Sequence, residues 1–162
     1  MVPAQILEGG GTQAETDVTS AREVLRSCVC SRTRMLDRLL TRLYDDALEA
    51  VGLRVNQLTM LSIIASMKGL RAVDVGRFLE MDKSTVSRGL ASLRDKGWVE
   101  SAQSGGRRRK TLALTSEGAS ILSRAMPRWR EADKQAEDVL GEASVEALRC
   151  AADAYLTRRA RG

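Results

Sequence analysis

A chain of 162 residues, 43% of them hydrophobic, can bury a real core and lies far from the composition of a disordered segment. Three cysteines are too few for a disulfide framework, and the absence of histidine removes the commonest general base and metal ligand. Net charge is +5, yet the window 83–110 alone holds eight Lys or Arg against Asp95 and Glu100, so the remainder is close to neutral. Positive charge concentrated in this way is the electrostatic footprint expected of a nucleic-acid binder.

Residues 1–18, with Gly9, Gly10 and Gly11 among polar neighbours, are expected to form a flexible tail. The opening residues lack the charged n-region and apolar run of a secretory signal. No segment approaches the roughly 20 apolar residues of a membrane span, so a cytoplasmic protein with no membrane partner is expected. A long helix is predicted over 19–51, with Leu36, Leu39, Leu40, Leu43, Ala47, Leu48 and Val51 on one stripe and Gly52 as its stop. Val55, Leu58, Leu61, Ile63 and Ile64 predict a second helix ending at Gly69, and Ala72, Val75, Phe78 and Leu79 a short third. In a fourth helix Val86, Leu90 and Leu93 recur at i, i+4 and i+7, with Asp82 as amino-terminal cap and Gly97 as end.

The periodicity then changes. Trp98 and Val99 open a strand, S-A-Q-S-G-G-R-R-R reads as a turn, and Lys110 to Thr115 alternates Leu112 and Leu114 with polar or small residues, which predicts a hairpin with a basic tip. From Ser116, a good cap, Ile121, Ala125, Trp129, Ala132, Ala136 and Leu140 repeat at helical spacing, with Pro127 expected to kink or unwind the helix. After Gly141 a last helix carries Val145, Leu148, Ala152, Tyr155 and Leu156 and ends on Arg158, Arg159 and Arg161. The fold class is therefore mostly α with a small β-hairpin wing: a winged helix-turn-helix over 53–115, flanked at 19–51 and 116–162 by helices whose apolar stripes suit dimerisation.

The fourth helix carries the chemistry. With its apolar stripe in the core, a rotation of about 100° per residue puts Ser84, Arg88, Ala91 and Ser92 on the opposite face, flanked by Thr85 and Ser87. Arg can take guanine O6 and N7 bidentately, while Ser and Thr reach base edges or phosphates. The candidate DNA-binding residues are Lys83, Ser84, Thr85, Ser87 and Arg88 on the helix and Arg107, Arg108 and Arg109 on the hairpin.

Three stretches, G-L-R-V-N-Q-L-T-M-L at 52–61, M-D-K-S-T-V-S-R-G-L-A-S-L-R-D-K-G-W-V at 81–99 and R-R-R-K-T-L-A-L-T-S-E-G at 107–118, resemble MarR-type bacterial transcription regulators. The resemblance runs from about Cys30 to Leu156. It implies that the fourth helix lies in the DNA major groove, that the wing reaches the minor groove, and that the first and last helices pair two subunits. A symmetric dimer presents two such helices to successive major grooves, so a pseudo-palindromic double-stranded operator follows. The wing departs from the family pattern, which pairs an Asp with the arginine two residues on: alignment puts Gly106 where the Asp stands and Arg108 at the arginine.

The hydroperoxide-sensing branch of that family has a reactive cysteine 14 residues before a tyrosine, the spacing of Cys30 and Tyr44. It also has tyrosines where this chain has Arg34 and Val55. Cys30 with Tyr44 is the candidate redox sensor, with Arg34 able to favour a thiolate. No catalytic residue, metal or cofactor is expected, and Asp45 with Asp46 reads as a solvated helix face. The expected function is a homodimeric repressor released by a small-molecule inducer or by thiol oxidation. The alternative is a winged helix serving protein–protein contact without specific DNA binding.

Overall fold

The computed structural model describes residues 13–103 and 110–161. In chain order its elements are α1 (Gln13–Ser27), α2 (Val29–Leu48), a 3-10 turn (Glu49–Val51), α3 (Val55–Ser66), α4 (Ala72–Leu79), α5 (Lys83–Asp95), β1 (Val99–Gln103), β2 (Lys110–Leu114), α6 (Ser116–Leu140) and α7 (Glu142–Arg161). The described residues fall into two compact units, one ending at Leu40 and one beginning at Thr41. Among them no helix is long and apolar enough to cross a membrane.

The first expected helix differs in two ways. It begins at Gln13, inside the segment read as tail, and it is interrupted at Cys28, where Ser27, Cys28, Val29 and Cys30 form a run of weak helix formers. The interruption is shallow, since the Cys28 N–H still donates to the Val24 carbonyl at 3.0 Å and the Cys28 carbonyl accepts from Arg32 N–H at 3.1 Å. Val24, Leu25, Val29 and Met35 of this unit are exposed.

The second unit is built around α3. Its Leu58, Met60, Leu61, Ile63 and Ile64 are all buried, which is why its sequence is apolar nearly all round. Around it pack α4, α5, α6 and β2. Leu48, Leu53, Leu61, Val75, Leu90 and Leu93 are the large side chains most completely removed from solvent. Asp45, read from the sequence as a solvated face, instead starts α3: its carboxylate accepts the Val55 N–H at 2.7 Å and lies 3.5 Å from Arg54.

The hairpin is antiparallel, pairing Val99 with Leu114 and Gln103 with Lys110, so β1 runs on through residues 101–103 that the sequence assigned to the turn. Leu112 N–H also donates to the Leu70 carbonyl at 2.7 Å, tying the hairpin to the segment before α4. Pro127 lies within the unbroken α6, and the expected unwinding is not seen. Buried Ile121 and Ala125 before it and Ala132 and Ala136 after it hold both halves against the lost N–H bond and the crowding of the proline ring on the preceding turn.

The cap of α6 is Thr115 rather than Ser116. Its hydroxyl donates to the Gly97 carbonyl at 2.6 Å and accepts from Gly118 N–H at 3.0 Å, joining the end of α5 to the start of α6. Gly118 is buried, and a Cβ there would lie inside contact distance of the Trp98 carbonyl, an immovable backbone group. Gly118→Ala should therefore destabilise the fold by roughly 1 to 3 kcal/mol, the usual cost of overpacking, read as a lower urea midpoint with an unchanged m-value.

Candidate nucleic-acid interface

The helix-turn-helix begins at α4, where Arg71 N–H donates to Asp74 Oδ2 at 3.1 Å and the Arg71 guanidinium grips both Asp74 oxygens at 2.9 and 3.0 Å. The hydrogen bonds from Arg71 hold the Asp74 carboxyl below its ordinary range. The turn is made by Glu80 in the left-handed region at φ 54, followed by Met81, whose N–H donates to Gly76 O at 3.0 Å. Tyr155 donates its hydroxyl to Glu80 Oε1 at 3.0 Å, and Arg159 pairs with the same oxygen. Nothing in the local sequence of the turn signalled these two partners from α7.

Helix α5 is held by Val86, Leu90 and Leu93, at 3%, 1% and 0% exposure. Its far face carries Lys83, Ser84, Ser87 and Arg88, all exposed, with Thr85 half-buried at the edge. The structure thus brings the five expected helix residues to one end and one side of α5. Arg107, Arg108 and Arg109, with Gly106, lie outside the described residues.

Two expectations change in detail. Ser92, read as outward-facing, is half-buried and accepts a hydrogen bond from Gln57 Nε2 at 3.1 Å. Lys96, counted with the basic cluster, donates to the Gly52 carbonyl at 3.0 Å and lies over the Trp98 ring at 4.4 Å. Ser92 and Lys96 thus anchor the carboxyl-terminal end of α5 to the body, while Lys83, Ser84, Ser87 and Arg88 remain exposed toward its amino-terminal end.

That end is organised by Asp82. Its carboxylate accepts the Thr85 N–H at 2.9 Å, the Thr85 hydroxyl at 2.7 Å and the Ser84 hydroxyl at 2.5 Å. Stabilised first by Ser84 and then by Thr85, the carboxyl is held far below the usual carboxylate range.

The sensor candidates have different surroundings. Tyr44 donates its hydroxyl to Asp133 at 2.6 Å, and Arg149 pairs with the other Asp133 oxygen at 2.6 Å and with Glu137 at 3.3 Å. Burial, then the Asp133 bond, raises the Tyr44 pKa. Cys30 is exposed on α2. The thiol of Cys28 is shifted down, chiefly by hydrogen bonds from Ser31, with Arg34 a smaller influence, whereas Glu146 pushes Cys150 up.

A buried three-helix lobe, a left-handed turn, a polar-faced helix and a hairpin define a winged helix-turn-helix module. Residues 51–110 match the MarR family. The transcriptional regulator MosR of M. tuberculosis is 26% identical, with a TM-score of 0.69 over 83% of this chain and 97% of that one. Its structure in complex with DNA is likewise 26% identical, with a TM-score of 0.64 over 81% and 99%. A point mutant of MarR from E. coli complexed with operator DNA, at 21% identity and a TM-score of 0.69 over 85% and 96%, shares the fold. The HTH-type transcriptional regulator YwoH of Bacillus subtilis (strain 168), itself uncharacterized, is 28% identical over 80 residues, 49% of this chain and only 58% of that protein. The chain has a winged helix-turn-helix fold, and its residues 51–110 resemble the MarR family.

The Asp82 cap gives the interface a definite acid response. Because its folded pKa lies below the unfolded value of about 3.9, its stabilisation is complete above about pH 5 and is lost as pH falls below about 4 and through the depressed value. Asp82→Ala should lower stability by a constant amount between pH 5 and 8, with the gap to wild type closing in stronger acid, as followed by urea unfolding at each pH.

Proposed function

We infer that this protein is a sequence-specific double-stranded DNA-binding transcription regulator, acting as a homodimeric repressor. The observation that carries the reading is the rotational setting of α5: Val86, Leu90 and Leu93 are buried, and Lys83, Ser84, Ser87 and Arg88 are thereby turned outward together. The DNA complex of MosR supports a DNA-binding role, and the second helix of a helix-turn-helix generally lies in a major groove. Arg107, Arg108 and Arg109 then contribute on the wing, with Arg108 contacting mainly phosphate because Gly106 supplies no orienting carboxylate.

Dimerisation is supported by apolar side chains left in water: Val24, Leu25, Val29 and Met35 in one unit, and Val139, Leu148 and Tyr155 in the other. Sedimentation of the full chain at micromolar concentration should give a dimer, and removal of residues 143–162 should impair assembly. A full-length monomer that still binds a palindrome tightly would refute the dimer.

Release by a small molecule has support in a groove of about 890 Å³ floored by Met81, Val86 and Leu90 and rimmed by Arg77, Lys83 and Arg94. Its apolar floor, with Glu80 and Asp82 on the rim beside those cations, suits an amphipathic organic molecule. Thiol control is proposed at Cys30 with Tyr44, and Cys28, whose thiol is shifted down by hydrogen bonds from Ser31, is a second candidate. Alkylation at neutral pH followed by mass spectrometry should label Cys28 before Cys150, and peroxide should weaken operator binding. Equal labelling and no peroxide effect would leave the cysteines as ordinary side chains.

The decisive experiment enriches sites from a randomised duplex pool and titrates variants against them. Arg88→Ala should cost roughly 1 to 3 kcal/mol on the enriched site and relax preference at one base pair per half-site. Arg108→Ala should weaken binding evenly across sequences and reduce the salt dependence by about one counterion per wing. No enrichment, with the protein instead retaining only protein partners, favours the interaction-module reading.

A further inference from the structure

One carboxylate at the start of α5 holds two hydroxyls. Asp82 Oδ1 accepts the Ser84 hydroxyl at 2.5 Å and Thr85 N–H at 2.9 Å, while Oδ2 accepts the Thr85 hydroxyl at 2.7 Å. An ionised carboxylate only accepts, so the sense of these bonds needs no knowledge of hydrogen positions: each hydroxyl directs its single proton to Asp82. Lone pairs are all that the two oxygens have left. Ser84 is exposed and Thr85 half-buried, so Ser84 is the residue whose lone pairs face outward.

DNA surfaces respond differently to such an oxygen. Phosphate oxygens, guanine O6 and N7, and thymine O4 are acceptors and gain nothing from it, whereas adenine N6 and cytosine N4 are the donors of the major groove. An unconstrained serine can take either role and discriminates little. The negative charge of Asp82 acts in the same sense, favouring amino groups over carbonyl edges.

Resting on the reading of α5 as the DNA-reading helix, we propose that Asp82 is a specificity-positioning residue that makes Ser84 an obligate acceptor, selecting adenine or cytosine over guanine or thymine on the strand that Ser84 faces. Arg88, four residues on and a pure donor, selects guanine. The helix therefore presents opposite hydrogen-bond polarity at two points one turn apart. Because the acceptor is created by a neighbouring side chain, the preference belongs to the Asp82–Ser84 pair and not to serine as such.

The test uses the full chain and a site enriched from randomised duplex, titrated against each single-base variant. Wild type should favour A or C over G or T by about three- to tenfold at one position per half-site, the size of one hydrogen bond. Ser84→Ala should level that position alone. Asp82→Gly keeps a favoured helix-cap residue while removing both carboxylate oxygens that hold the hydroxyls. It should keep the circular dichroism and the guanine preference attributed to Arg88, with a modestly lower melting temperature, yet level the same position and tighten binding to random duplex as one negative charge is lost.

A folded Asp82→Gly, or a Ser84→Ala, that retains the full A or C preference overturns the proposal and leaves the DNA-binding reading intact. Should Asp82→Gly fail to fold, wild type is titrated against sites in which purine replaces adenine, or pyrimidin-2-one replaces cytosine, at that position. These analogues delete only the amino group, and unchanged affinity overturns the proposal. If wild type enriches no sequence at all, the functional reading and this inference fall together.

Discussion

What the interface presents follows from the rotation of α5 about its own axis. Val86, Leu90 and Leu93 lie on a stripe too narrow to be buried in more than one way, and each buried leucine contributes about 1.5 to 3 kcal/mol. Turning the helix by one residue, about 100°, would expose that stripe and bury Arg88 or Ser87 without partners, a change opposed by both hydrophobic loss and charge desolvation. The outward face is consequently a by-product of the core. Its residues need only be polar and small enough for close approach.

Around this setting the chain arranges its junctions with short-range polar contacts. Asp45 starts α3, Arg71 with Asp74 starts α4, Asp82 starts α5 and Thr115 starts α6. Each satisfies backbone donors that a helix start leaves unpaired. Several also join distant elements: Thr115 ties Gly97 to α6, and Lys96 ties the end of α5 to Gly52. The turn between α4 and α5 is the exception to local economy, since Glu80 occupies a left-handed conformation that glycine would adopt more easily. Its carboxylate meets Tyr155 and Arg159 of α7, contacts a glycine could not make.

The interface and the terminal helices solve different problems. Within the second unit apolar residues converge on α3, whereas Val24, Leu25, Val29 and Met35 of the first unit, and Val139, Leu148 and Tyr155 of the second, have no such cover in a single chain. Exposed apolar side chains on helices otherwise rich in charge are the residue pattern of an association surface. The basic character of the chain is concentrated elsewhere, on α5 and at 107–110, so the exposed apolar residues and the basic cluster occupy separate parts of the sequence.

The element order, the apolar stripe of α5, the hairpin and the cap at Asp82 were legible in the amino-acid order alone, because these rest on periodicities and on contacts spanning a few residues. The grouping of Lys83, Ser84, Thr85, Ser87 and Arg88 was legible too, since one helical turn suffices to relate them. What the polar residues bind was settled by three-dimensional packing. Asp45 became a cap ten residues away, Ser92 turned toward Gln57, Tyr44 met Asp133 across 89 positions, and Glu80 met Arg159 across 79. The break at Cys28 and the unbroken passage through Pro127 belong to the same class. In each case local preference is a matter of about 1 to 3 kcal/mol, small enough for packing and hydrogen bonds from distant elements to reverse.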